Sequence, residues 1–158
     1  MAKKKEEIGT QSPTCEWRSR GDTQGGNNTN KIYRHKGACR WSDTRTECYK
    51  QKDGGWSDIS RNVLIGNSGE SAKFHLRYFE IAAGGFSSLE KHRHEHVVIC
   101  IKGKGKVLTG EKSHMINYLD TVYIAPNTVH QLSNPYDRPF GFFCIVNAAR
   151  DKPKLIKK

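Results

Sequence analysis

Gly84-Gly85-Phe86-Ser87-Ser88-Leu89-Glu90-Lys91-His92-Arg93-His94-Glu95-His96-Val97-Val98-Ile99-Cys100-Ile101 carries potential metal donors at 90, 92, 94 and 96. Alternate residues of an extended chain share one face, so these side chains point the same way. Imidazoles and a carboxylate crowded together desolvate or repel one another unless a cation binds them. The apolar run Val97 to Ile101 has strand composition, and Gly103-Lys104-Gly105 closes it with a turn. A second block, Asp120 to Gln131, repeats the order of turn, short β-rich run, Pro/Asn punctuation and histidine, here His130, and Asn134 closes it.

With these two blocks the sequence resembles the cupin superfamily, small antiparallel β-barrels that hold a metal with two motifs on neighbouring strands. Gly84, Glu90, His92, His96 and Gly103 fill the places of the first motif, and counts from either glycine agree without a gap. In the second, Ala125-Pro126-Asn127 stands in the usual Pro/Gly position, His130 is the ligand and Asn134 the closing asparagine. Three departures stand out: Glu90 replaces a histidine, His94 is an extra candidate, and the second motif lacks its glycines.

The resemblance covers residues 73–148 and implies an all-β fold, a single-domain antiparallel β-barrel (double-stranded β-helix) with an N-terminal extension. It implies one divalent transition metal on Glu90, His92, His96 and His130, with His94 the substitute for Glu90. Such mixed nitrogen and carboxylate donors suit Mn, Fe, Ni, Co or Zn, manganese being placed first.

The phrases Leu76 to Glu80, Ser87 to His92 and Gly141 to Val146 are similar to the branch of small cupins that contains a 1-methylthio-xylulose-5-phosphate sulfurylase. That likeness implies sulfur chemistry on a sugar phosphate with a thiol such as glutathione. The general expectation is a metalloenzyme acting on a small oxygenated molecule in the barrel mouth. Alternatives are a sulfurylase or isomerase, a non-catalytic ligand-binding sensor, and an Fe(II)-dependent dioxygenase.

Cys100 lies four residues after His96, so alternation points it to the same interior face. A buried cysteine is ordinarily a small hydrophobe, but near a cation its thiolate is a nucleophile. Cys100 is therefore the candidate catalytic residue, beside the plainer reading of a core thiol. Arg61 and Arg77 fall on predicted strands and either hold an anionic, phosphorylated substrate or lie on the surface. His35, His75 and His114 stand alone and are read as solvated.

The surroundings are polar: hydrophobic residues make up 35% of the 158, and the net charge is +11. Residues 1–30 read as a flexible segment ending in Gly25-Gly26-Asn27-Asn28-Thr29-Asn30, expected to be removable without unfolding the barrel. In residues 31–72, Tyr33, Trp41, Tyr49 and Trp56 are isolated aromatics in polar sequence, with a turn at Asp53-Gly54-Gly55. They need an existing apolar surface, either the barrel at 73–148 or a partner in a homodimer. The basic tail 149–158 contains Pro153 and is expected to be mobile.

Five cysteines without CxxC spacing argue against a zinc ribbon and for free thiols. Positive charge is dispersed, with no recognition-helix or RNA-binding pattern, so a small molecule is the expected partner rather than nucleic acid. No membrane-length apolar run or signal peptide is present, and the expected location is the cytoplasm.

Overall fold

The structure is a computed structural model and describes residues 30–49 and 57–156. The expectations for residues 1–29, the turn at Asp53 to Gly55 and Trp56 lie outside the described residues. Among those described, the regular structure is all β, without a helix. The strands are β1 (Thr46–Cys48), β2 (Ser57–Ile65), β3 (Phe74–Phe86), β4 (Glu90–Lys91), β5 (His96–Lys102) and β6 (Gly105–Thr109). They continue with β7 (Lys112–Ile116), β8 (Thr121–Ile124), β9 (His130–Ser133), β10 (Phe140–Asn147) and β11 (Lys154–Leu155).

Pairing is antiparallel throughout. One layer runs β1-β2-β3-β10-β5-β8, the other β7-β6-β9-β4-β11. The far end of β3 joins them, with Phe86 opposite Ser133 of β9, and the result is a nearly closed barrel.

Alternation on β3, β10 and β5 sends Phe79, Ile81, Phe140, Phe142, Val98 and Cys100 into one buried cluster. Each fully buried Phe or Ile contributes about 1.5–3 kcal/mol. This apolar half therefore carries the fold, and the other end of the interior is left for polar side chains. Register sets the depth of each residue: Arg77, Cys144 and Val98 form one cross-strand row, and Phe79, Phe142 and Cys100 form the next.

Gly103, the closing glycine of the first motif, has φ +64°, and a Cβ there would run into the carbonyl oxygen of Pro139. Only glycine meets both demands.

The segment before β2 lies against the barrel of its own chain. Trp41 meets Tyr78 at 5.1 Å and Phe143 at 5.9 Å between ring centroids, and Tyr49 meets Phe79 edge-on at 5.0 Å. Glu70 anchors it further, accepting from the Tyr33 hydroxyl at 2.6 Å and from the Ser68 and Gly66 amides at 2.9 and 3.1 Å.

The C-terminal segment departs from expectation. Rather than running free, it forms β11, which pairs with β4 through Lys154 opposite Lys91 and Leu155 opposite Glu90, and the Ile156 amide donates to Leu89 at 2.9 Å. Backbone groups at the edge of β4 hold it, and backbone pairing leaves no apolar pattern in the sequence.

Candidate metal centre and active site

Short-range geometry and one strand pair bring the donors together. Glu90 lies on β4 directly opposite His130 on β9, and His96 opens β5. Residues 92–95 are not strand, yet His92, His94 and His96 are 4%, 8% and 8% exposed while Lys91, Arg93 and Glu95 face solvent. The turn of the second motif is tied to this segment, since the Asn127 amide donates to the His92 carbonyl at 2.7 Å. Asn127 takes φ +61°, a conformation that asparagine tolerates and that glycine would otherwise supply. Fully buried Asn134 then holds the closing turn, donating to Ile81 and Arg138 carbonyls at 2.9 and 2.8 Å.

Hydrogen bonds orient the imidazoles. His92 Nδ1 lies 2.8 Å from the His94 carbonyl and His130 Nδ1 lies 2.9 Å from the Thr128 carbonyl. A carbonyl only accepts, so both Nδ1 atoms carry the proton and both Nε2 lone pairs are left for a ligand. His92 Nε2 and His96 Nε2 are 2.8 Å apart. Burial, reinforced by His92, His130 and Arg77, pushes the His96 pKa down to about 2, and burial also lowers that of His92. These imidazoles are neutral near pH 7, the state in which they donate to a metal.

Two donor groups, His92-His94-His96 and Glu90-His92-His130, each have their ligand atoms within 4.8 Å of one another and can hold a metal ion. His92 belongs to both. His94 stacks on His92 at 3.6 Å, and its Nδ1 donates to Asp151 at 2.8 Å. Free lone pairs, neutral rings and a carboxylate together fit a divalent transition metal.

A cavity of about 160 Å³ opens beside the imidazoles. Ile59, Phe79, Leu132 and Phe142 supply its apolar wall, and Arg61, Arg77, Cys144 and Arg150 join Glu90, Asp151 and Ser87 in its polar lining. Arg77 is thus buried in the interior, while Arg61 lines the cavity and stays partly exposed beside Glu47. His114 and His35 are exposed, the latter beside the Trp41 ring at 5.4 Å, whereas His75 is half-buried.

Residues 77–146 match the cupin domain family. Over 117 residues the chain is 38% identical to the 1-methylthio-D-xylulose 5-phosphate methylsulfurylase of Rhodospirillum rubrum, spanning 73% of this chain and 74% of that protein. The chain belongs to the cupin family. Among solved structures, this cupin is similar to a cupin-2 domain from Rhodospirillum rubrum, with 38% identity, a TM-score of 0.70, and coverage of 75% of this chain and 79% of that one. It is also similar to a cupin 2 conserved barrel domain protein from Rhodopseudomonas palustris, with 35% identity, a TM-score of 0.75, and coverage of 80% and 87%.

One predicted residue is misplaced. Cys100 of this cupin is on the interior face, but not on the cavity wall. Four residues of strand put it about 13 Å along β5 from His96, in the row of Phe79 and Phe142. Its Sγ lies 3.6 Å from the Gly103 carbonyl oxygen and 3.8 Å from that of Lys102. The thiol at the site belongs to Cys144, whose Sγ is 3.2 Å from His96 Nδ1 and 3.2 Å from an Arg77 guanidinium nitrogen. Its alternation with Phe140 and Phe142 marks Cys144 as inward in the sequence, but only its register opposite Arg77 brings it beside the histidines. Among the described residues no helix is long and apolar enough to cross a membrane.

Proposed function

We propose that this cupin is a metal-dependent enzyme acting on a small oxygenated substrate that carries a thioether, with Cys144 as nucleophile. The observation that carries this reading is the placement of the Cys144 sulfur in the cavity, in contact with both His96 and Arg77. Support comes from the Rhodospirillum rubrum relative, a methylsulfurylase of a methylthio pentulose phosphate. A divalent cation, manganese being the first to test, held by His92, His96, His130 and Glu90 or His94, would polarise a substrate carbonyl.

Burial pushes the Cys144 thiol up, and the Arg77 charge opposes it. Arg77 directs an N–H at the sulfur, and His96 adds a second in the tautomer that leaves its Nε2 free. Two donors on one sulfur favour the thiolate. That thiolate attacks the thioether sulfur, forming an S–S bond as the C–S bond breaks. The released electron pair moves into the neighbouring carbonyl as an enolate, which takes a proton on carbon. Carbon is reduced, and the two sulfurs are oxidised to a mixed disulfide on Cys144. A second thiol such as glutathione exchanges with that disulfide and frees the enzyme.

The test is Cys144→Ser, assayed with a 1-methylthio-ketose phosphate and glutathione. Turnover should fall at least about 100-fold while metal content and thermal transition hold. Without glutathione, wild type should gain the mass of one methylthio group and the variant none. Full activity in Cys144→Ser would overturn thiol catalysis here.

A further inference from the structure

We propose that Arg61, Arg77 and Arg150 form a phosphate-binding subsite in the cavity, with Arg150 delivered by the C-terminal segment. The subsite rests on the reading that substrate occupies this cavity, but not on the thiol chemistry.

Arg77 is the central residue. It is 6% exposed, its Nε has no hydrogen-bond partner, and its guanidinium contact is the sulfur of Cys144. Among the described residues it has no carboxylate partner. A buried cation with an unmet donor is costly, and an anionic ligand removes that cost.

Arg61 stands diagonally across from it. Arg61 pairs with Phe79, two residues along β3 from Arg77 on the same inward face. One nitrogen of Arg61 binds Glu47 at 2.7 Å, but its Nε is buried without a partner. Aromatic rings hold both guanidiniums in place, Tyr49 lying 5.0 Å from Arg61 Cζ and Phe79 lying 5.1 Å from Arg77 Cζ.

Arg150 reaches the same cavity from beyond β10, where among the described residues it donates to the Asn147 carbonyl at 3.4 Å. Burial, with the charges of Arg77 and Arg61, disfavours its protonated form, so its position is relieved by negative charge. The acidic residues on the cavity wall do not supply it: Glu90 stands in the donor group with His92 and His130, and Asp151 is engaged by His94 and the Arg93 amide.

Three planar forks present more N–H donors than a carboxylate can accept, and with Arg61 ion-paired to Glu47 the charge that Arg77 and Arg150 leave uncompensated matches a phosphate dianion. Cys144 lies between this end and the imidazoles, touching Arg77 on one side and His96 on the other. An elongated substrate with phosphate at one end and carbonyl at the other spans the two.

The experiment is calorimetric titration of the full chain with D-ribose 5-phosphate and with D-ribose, with divalent metal present and after chelation. The phosphorylated sugar should bind in both states, and D-ribose should bind far more weakly. Arg150→Gln, on the last segment of the chain, should weaken binding about tenfold or more, and Arg77→Lys should do likewise, with metal content unchanged. Equal affinity for the two sugars would overturn the subsite, as would wild-type affinity in Arg150→Gln or complete loss of binding on chelation. Binding is read here without turnover, so failure of the thiol mechanism and failure of the subsite read separately.

Discussion

Cys100 and Cys144 stand on adjacent strands one cross-strand row apart, and that row separates a packing residue from a residue at the site. Cys144 meets His96 and Arg77, whereas Cys100 shares its row with the Phe142 and Phe79 side chains. Cys100→Ser places a hydroxyl in a fully buried position at a cost of about 1–3 kcal/mol. The nearby Lys102 and Gly103 carbonyls offer acceptors, which keeps the loss at the lower end. Denaturant unfolding should show that loss while turnover per folded molecule stays at the wild-type level. Lost turnover with unchanged stability would return Cys100 to the mechanism.

At the scale of elements, the connection from β2 to β3 is organised by one carboxylate. The Tyr33 hydrogen bond chiefly holds the Glu70 pKa down at about 2 against the opposing effect of burial, with the Ser68 and Gly66 amides assisting. Between that value and the usual 4.5, the unfolded chain binds more protons than the folded one. The Glu70 contribution is therefore complete above pH 4.5 and is lost as pH falls through about 2. Glu70→Gln should lower stability at pH 7 and flatten the acid limb in that window. Asp151, held low by His94, leaves some slope in the variant. Unfolding midpoints measured from pH 7 to pH 2 check this, and superimposable slopes for the two proteins would refute it. β4 and β11 are two-residue strands, yet they set the mouth, because the register that pairs them also brings Asp151 to His94 and Arg93.

The whole molecule divides its interior between two environments. Phenylalanines, Ile81 and Cys100 fill one end, and four buried histidines with Arg77 occupy the other. Burial keeps His92 and His96 neutral, and a cation would draw on the Nε2 atoms that lie 2.8 Å apart, so metal binding should feed directly into stability. Loading with a divalent metal at 100 times its Kd should add about 2.7 kcal/mol and raise Tm. The His92→Ala, His130→Ala double variant should lack both the metal and the rise. Equal metal content in wild type and double variant, by elemental analysis, would remove the site.

Most strand positions and the inward alternation were legible in the sequence, because each follows from spacing along a few consecutive residues, and the same spacing made Glu90, His92, His96 and His130 the candidate donors. The aromatic core of β3 is plain in the sequence but its continuation to Phe86 is not, and Gly103 marks the turn that Pro139 makes obligatory. Alternation reports which face a side chain takes and nothing of its depth. Depth comes from register between strands distant in sequence, so pairing of β10 with β3 and β5 was needed to set Cys144, and not Cys100, beside the histidines. The arrival of Arg150 and Asp151 at the site was equally invisible. Backbone hydrogen bonds to an edge strand carry them there, and backbone groups are the same in every sequence.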